Sequence, residues 1–138
     1  MGKIQKFEDL IAWQKARSLT RKIYQITQSG AFSKDFNLVS QIRRAAVSAM
    51  SNIAEGFERF GEKEFPQYLS MAKSSCAEIR SQLYIALDVG YLDGKVFREL
   101  LESAEEVARI VGALRTAVQV HRNSTQHSAL STQHSKNA

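Results

Sequence analysis

One proline and one cysteine are all that 138 residues hold of either, and glycine occurs seven times. A single cysteine, Cys76, excludes an intramolecular disulfide. So few breakers over so long a chain exclude a succession of short elements and point to long helices. Strand signals are also missing, since no segment alternates strictly with β-branched residues between turn signals. No apolar run approaches the ~20 residues that span a bilayer. The opening MGKIQKFEDLIAWQ lacks the apolar core of a secretory signal. The expectation is a soluble cytoplasmic protein, in which the sequon at Asn123-Ser124-Thr125 is accidental.

Catalytic and metal motifs are equally scarce. There is no Cys-x-x-Cys, no GxxxxGK[ST] phosphate loop and no Glu-x-x-His pair of the kind that builds metal sites inside bundles. All three histidines, His121, His127 and His134, lie near the C-terminal end, away from any rigid nucleophile. Cys76 sits between Ala72 and Ile79 in an apolar seam and reads as a small buried hydrophobe. The reading is therefore of a protein that is not an enzyme, with no catalytic residue, no cofactor and no metal site.

What the chain does have is helical periodicity. In 7–28, Ala12, Ala16, Leu19, Ile23 and Ile26 recur at spacings of four and three, which places them on one helix face. Gly30 ends that segment. The second segment, 34–60, has Ser33 as the expected N-cap, Asp35 in its first turn and Gly61 as its close. The third, 62–89, begins with Glu62, Glu64 and Pro66. Its seam of Phe65, Leu69, Ala72, Cys76, Ile79, Leu83 and Ala86 keeps a heptad-like rhythm up to Gly90. The fourth, 94–120, follows Asp93 as N-cap and carries Phe97, Leu100, Leu101, Ala104, Val107, Ala108, Val111, Leu114 and Val118 inward. The predicted fold is all-α: an up-down-up-down antiparallel four-helix bundle over residues 1–120. Residues 121–138 carry STQHS twice, at 124–128 and 131–135, and are expected to form a disordered polar tail.

The chemistry concentrates on the second segment, in QIRRAAVSAMSNIAEGFERF. At ~100° per residue, Gln41, Arg44, Ser48, Ser51, Asn52, Glu55 and Arg59 share one side, and Ile42, Ala45, Ala46, Ala49, Ile53, Gly56, Phe57 and Phe60 the other. A solvated helix face usually carries Lys and Glu in quantity. Ser48, Ser51 and Asn52 are poorer helix formers and suit a surface that another surface approaches. Three readings stay open for this stripe: an assembly interface, a plain surface, or a nucleic-acid contact. Ser48, Asn52, Glu55 and Arg59 are the candidate oligomer interface.

Nineteen Lys and Arg face fourteen Asp and Glu, a net of +5. Much of the excess lies in the first thirty residues, at Lys3, Lys6, Lys15, Arg17, Arg21 and Lys22 against Glu8 and Asp9. A basic segment of this kind suits a phosphate backbone.

The blocks FEDLIAWQKARSL, RRAAVSAMSNIAEG and AKSSCAEIRSQL, in that order, resemble the four-helix-bundle proteins encoded in intervening sequences of bacterial 23S ribosomal RNA. The resemblance covers residues 5–118. Trp13, Arg43, Arg44, Asn52, Glu55, Gly56, Arg59 and Glu78 match its motif positions. It implies a ring-like homopentamer and carries no catalytic residues. The bundle is also similar to the accessory protein of diversity-generating retroelements, which implies nucleic-acid binding and a reverse-transcriptase-like partner. Two functions follow as expectations. The first is a homo-oligomer that binds RNA or DNA by summed basic surface through Lys15, Arg17, Arg21, Lys22, Arg43, Arg44 and Arg59. The second is a structural or adaptor module that makes protein contacts only.

Overall fold

The computed structural model describes the backbone at residues 4–59 and 63–137, and side-chain surroundings at these residues except 122 and 124–137. Helix α1 is Ile11–Thr27, α2 is Phe36–Glu58, α3 is Phe65–Asp88 and α4 is Gly94–Asn137. Two 3-10 turns, Phe7–Asp9 and Phe32–Lys34, precede α1 and α2. No strand occurs among the described residues.

Cross-helix contacts give the topology. On α1 and α2, Thr20 bonds the Ala46 carbonyl and Thr27 meets Arg43, so one helix rises as the other falls toward its start. The same reversal joins α2 to α3, through Ser48 with Ser75 and Asp35 with Tyr91. It joins α3 to α4, through Pro66 with Arg115 and Tyr84 with Phe97. It also joins α4 back to α1, through Glu106 with Lys15 and Ser103 with Lys22. Each helix is thus antiparallel to both neighbours, and the four close into a ring around one core, as the short connections require.

Most of the core is the set of residues that the spacing picks out. Leu101, Ala108 and Leu114 on α4 are only half-buried, and Phe32 and Leu38 join the core from outside that set. Every member of the α3 seam from Phe65 to Ala86 is fully buried, as are Ala12, Ala16, Leu19 and Ile23 on α1. On α2, Ile42, Ala45, Ala46, Ala49 and Ile53 are buried and Phe57 half-buried, while Phe60 lies outside the described residues. Ile26 is half-buried rather than buried, at the margin of its stripe.

The ends of the helices differ in part from expectation. A helix from residue 7 would set Phe7 and Trp13 ~120° apart around its axis. The chain instead breaks at Leu10, whose backbone is extended (φ −74°, ψ 127°), and the Phe7 and Trp13 rings meet edge-on at 5.2 Å. Ser33 does not cap α2. Its hydroxyl donates to the Gly30 carbonyl at 2.6 Å inside the turn, and Asp35 takes the cap by accepting from the Leu38 N–H at 3.1 Å. A carboxylate is favoured there by the helix dipole as well as by the hydrogen bond. Asp35 also accepts from the Tyr91 hydroxyl at 2.9 Å, which ties the α1–α2 connection to the end of α3.

Gly61 and Glu62 lie outside the described residues, and Glu64 precedes α3 without a side-chain cap bond. Pro66 falls in the first turn, where its missing N–H breaks nothing. Gly90 closes α3 with φ 85°, and the Tyr91 N–H returns to the Ala86 carbonyl at 2.8 Å. Asp93 caps α4 through the Val96 N–H at 2.8 Å. The helical backbone of α4 continues past residue 120 to Asn137, and Val118 is its last buried residue among the described side chains. The expected disordered tail falls on side chains that, beyond His121 and Asn123, lie outside the described residues.

Candidate nucleic-acid and assembly surfaces

The polar stripe of α2 splits into two edges. Gln41, Arg44, Ser51, Glu55 and Arg59 are exposed. Ser48 and Asn52 are half-buried against α3, and Ser48 shares a hydrogen bond with Ser75 at 2.9 Å. Asn52 donates to the Ser48 carbonyl at 2.9 Å and to its hydroxyl at 3.0 Å. Their poor helix propensity therefore has a partner within the chain. Farther along, Glu55 accepts from the Tyr68 hydroxyl at 3.3 Å and stands 3.9 Å from Arg59, whose guanidinium lies over the Tyr68 ring. Gly56 makes this end possible. A Cβ there would meet Tyr68 Cβ at 2.8 Å and Phe65 Cδ1 at 2.9 Å.

Next to this network is a groove of about 460 Å³ between α2 and α3, lined by Asn37, Ser40, Gln41, Arg44, Ser48, Glu78 and Gln82. Gln82 is buried, and its carbonyl oxygen Oε1 has no hydrogen-bond partner among the described residues. A buried amide oxygen without a donor costs on the order of 1–3 kcal/mol. Several large apolar side chains on and beside the same two helices are exposed. Phe36 is 81% exposed, and Val47, Met71, Ile85 and Val89 lie between 41% and 56%.

The cations expected to touch nucleic acid do not form one patch. Lys15 and Lys22 reach across to α4, where Lys15 pairs with Glu106 at 2.9 Å and Lys22 donates to Ser103 at 3.2 Å. The Lys15 hydrogen bond and charge hold the Glu106 carboxyl below its ordinary pKa. Arg43 lies between α1 and α2, donating to Thr27 at 2.8 Å with its guanidinium 4.3 Å from the centre of the Tyr24 ring. Arg17 covers Trp13 at 5.6 Å. Arg44 opens onto the α2/α3 groove, and Arg21 is exposed. Lys15, Lys22, Arg43 and Arg59 are thus engaged in holding neighbouring helices, while Arg17, Arg21 and Arg44 have no ion pair among the described residues.

A second basic grouping escaped the sequence reading. Lys73 and Arg80 on α3 and Arg109 on α4 line a groove of about 580 Å³ together with Ser70, Ser74, Ala77, Glu105, Ala108 and Gly112. The signal was present in part: Lys73 and Arg80 are seven residues apart, with small residues Ser74 and Ala77 between them. Arg109 joins them only when α4 packs alongside.

Cys76 is fully buried, and desolvation pushes its thiol up to about 11. It is therefore a protonated apolar group at neutral pH and unsuited to nucleophilic work. No group of three or more His, Cys, Asp or Glu side chains among the described residues is arranged to hold a metal ion. No helix of the described residues is long and apolar enough to cross a membrane.

Comparison with known proteins agrees with this architecture. No curated protein matches the chain. A crystal structure of a protein of unknown function from the S23 ribosomal protein family of Bacteroides thetaiotaomicron superposes with a TM-score of 0.68 at 18% identity. The match covers 76% of this chain and 98% of that one, and at such identity it speaks to the fold. Neither that description nor the family's refers to catalysis. The model of the 23S rRNA-intervening sequence protein family matches residues 8–113, and with four helices and a shared core over that span the chain belongs to this family.

Proposed function

We propose that this chain is a non-enzymatic homo-oligomeric bundle that binds structured RNA or DNA through basic surface summed over its copies. The observation that carries the reading is the scarcity of ion pairing. Among the described residues only two of the Lys and Arg side chains form ion pairs, in Lys15–Glu106 and Arg59–Glu55. Charge left unpaired on a rigid bundle is available to phosphates, and a ring of copies multiplies the +5 of each chain into a larger field. Assembly has its own support in the α2/α3 face, where a second copy would cover Phe36, Val47 and Ile85 and offer a donor to Gln82. Five copies is the number that the family resemblance implies.

The test is light scattering coupled to size exclusion, with and without a structured RNA, at 50 and 200 mM salt. The expected result is a defined oligomer whose RNA affinity falls steeply with salt, because each neutralised phosphate releases counterions. The adaptor reading, favoured by the apolar rim of the α2/α3 groove, expects the same oligomer with no RNA bound at either salt.

A further inference from the structure

Three features of the molecule are unexplained by its own packing: the α2/α3 groove, the exposed arginines of α1, and the α3/α4 groove. The first belongs to the assembly face already described. The arginines of α1 are scattered, and Arg17 is engaged by Trp13. The α3/α4 groove combines convergence, unpaired charge and a desolvated donor.

Lys73, Arg80 and Arg109 converge on it from two helices, against the single carboxylate Glu105. None of the three cations forms an ion pair among the described residues, although the charge of Arg109 contributes to lowering the Glu106 carboxyl. Arg80 is half-buried, and its Nε is shut off from solvent without a hydrogen-bond partner among the described residues. Its guanidinium carries a permanent charge that no ion pair among the described residues neutralises. Gly112 keeps the floor open beneath Lys73, whose ammonium lies 3.7 Å from where a Cβ on that glycine would stand. Lys73 and Arg80 are two turns apart on α3, about 10 Å along the axis. A chain of phosphates fits such a spacing better than one isolated anion. Ser70 and Ser74 add hydroxyl donors on the same wall.

We infer that the α3/α4 groove is where each subunit grips the sugar–phosphate backbone of a nucleic acid, with Lys73, Arg80 and Arg109 as the phosphate contacts. This rests on the nucleic-acid reading above and assigns it a place. Contact is to phosphate, so it is indifferent to base sequence.

The experiment uses the full chain and a fluorescein-labelled structured RNA titrated across salt concentrations. Four proteins are compared: the parent, Lys73→Gln/Arg80→Gln/Arg109→Gln, Arg17→Gln/Arg21→Gln, and Gly112→Glu. Gly112→Glu puts a carboxylate beside Lys73 without removing any cation, and it raises helix propensity, so it guards against a loss that merely reports misfolding. The expected result is a loss of tenfold or more in affinity for the triple variant and for Gly112→Glu, with a shallower salt slope in the triple variant. A loss of about threefold or less is expected for the α1 pair. If the parent binds RNA and both groove variants bind as the parent does, the groove assignment is overturned while the nucleic-acid function stands. If the parent binds no RNA at either salt, both fail. Inorganic tripolyphosphate separates the remaining source. Groove-dependent binding of tripolyphosphate by a parent that ignores RNA would assign the site to small polyphosphates and overturn the inference.

Discussion

The seam between α2 and α3 and the seam between α1 and α4 hold the same kind of helix pair together by opposite means. Along α2/α3 small residues set the closest contacts. Ser48 meets Ser75, and Gly56 lets Tyr68 and Phe65 come so close that no Cβ fits between them. Along α1/α4 the side chains are long and charged. Lys15 and Lys22 lie across the junction and end on Glu106 and Ser103 at the surface. Close approach excludes water and makes each contact sensitive to a single methyl group. Bridging by flexible chains leaves water in place and makes each contact replaceable. One bundle thus has a seam fixed by shape and a seam fixed by charge.

The sharpest way to break this comparison is to fill the tight seam. Gly56→Leu should cost about 3 kcal/mol of unfolding free energy, the upper part of the range for overpacking, despite leucine's better helix propensity. Urea denaturation followed by circular dichroism reads it directly, and a variant as stable as the parent would show that α2 and α3 are not in such close contact. Next come the serines. Ser48→Ala and Ser75→Ala should each cost about 1 kcal/mol. Their double variant should cost less than the two together, with a coupling of about 0.5 kcal/mol or more, because they share one bond. Additive costs would place the two hydroxyls apart.

The charged seam should respond less. Lys15→Gln should destabilise by well under 1 kcal/mol, since both partners are more than a third exposed and solvent screens them. The sign with pH follows from Glu106, whose carboxyl is lowered in the fold chiefly by the Lys15 hydrogen bond. That contribution is present above the ordinary carboxylate value and is lost as pH falls through the lowered one. The gap between parent and Lys15→Gln should therefore close in acid, as read by denaturation midpoints from pH 7 to pH 3. The smallest effect belongs to Cys76. Its buried thiol, raised to about 11, should react with an aromatic disulfide reagent at neutral pH no faster than the chain unfolds. Immediate labelling of the folded protein would place it outside the seam.

How much of this was legible in advance follows from the range of the forces involved. The α3 seam from Phe65 to Ala86 could be read residue by residue, because burial of a helix stripe obeys a period that the chain carries in itself. The Asp93 cap was equally local. The cap of α2 was missed by two residues, because both Ser33 and Asp35 are competent. The choice between them fell to a turn that consumed the serine and to Tyr91, which arrives from fifty-six positions away. The α2 stripe was read correctly as a side of a helix, but its inner residues Ser48 and Asn52 turned out to be bonded within the chain. The basic groove was legible in only two of its three cations, because Arg109 lies on another helix.

The linear sequence by itself determined four helices, their apolar stripes and the breaks at Gly30 and Gly90, since propensity, period and left-handed glycine are properties of a few neighbouring residues. Only the tertiary structure decided which cations are used in holding helices together and which remain unpaired, and which small residues become points of close approach. Those outcomes depend on distances between helices. Such distances are set by the packing of side chains dozens of positions apart, which no local pattern encodes.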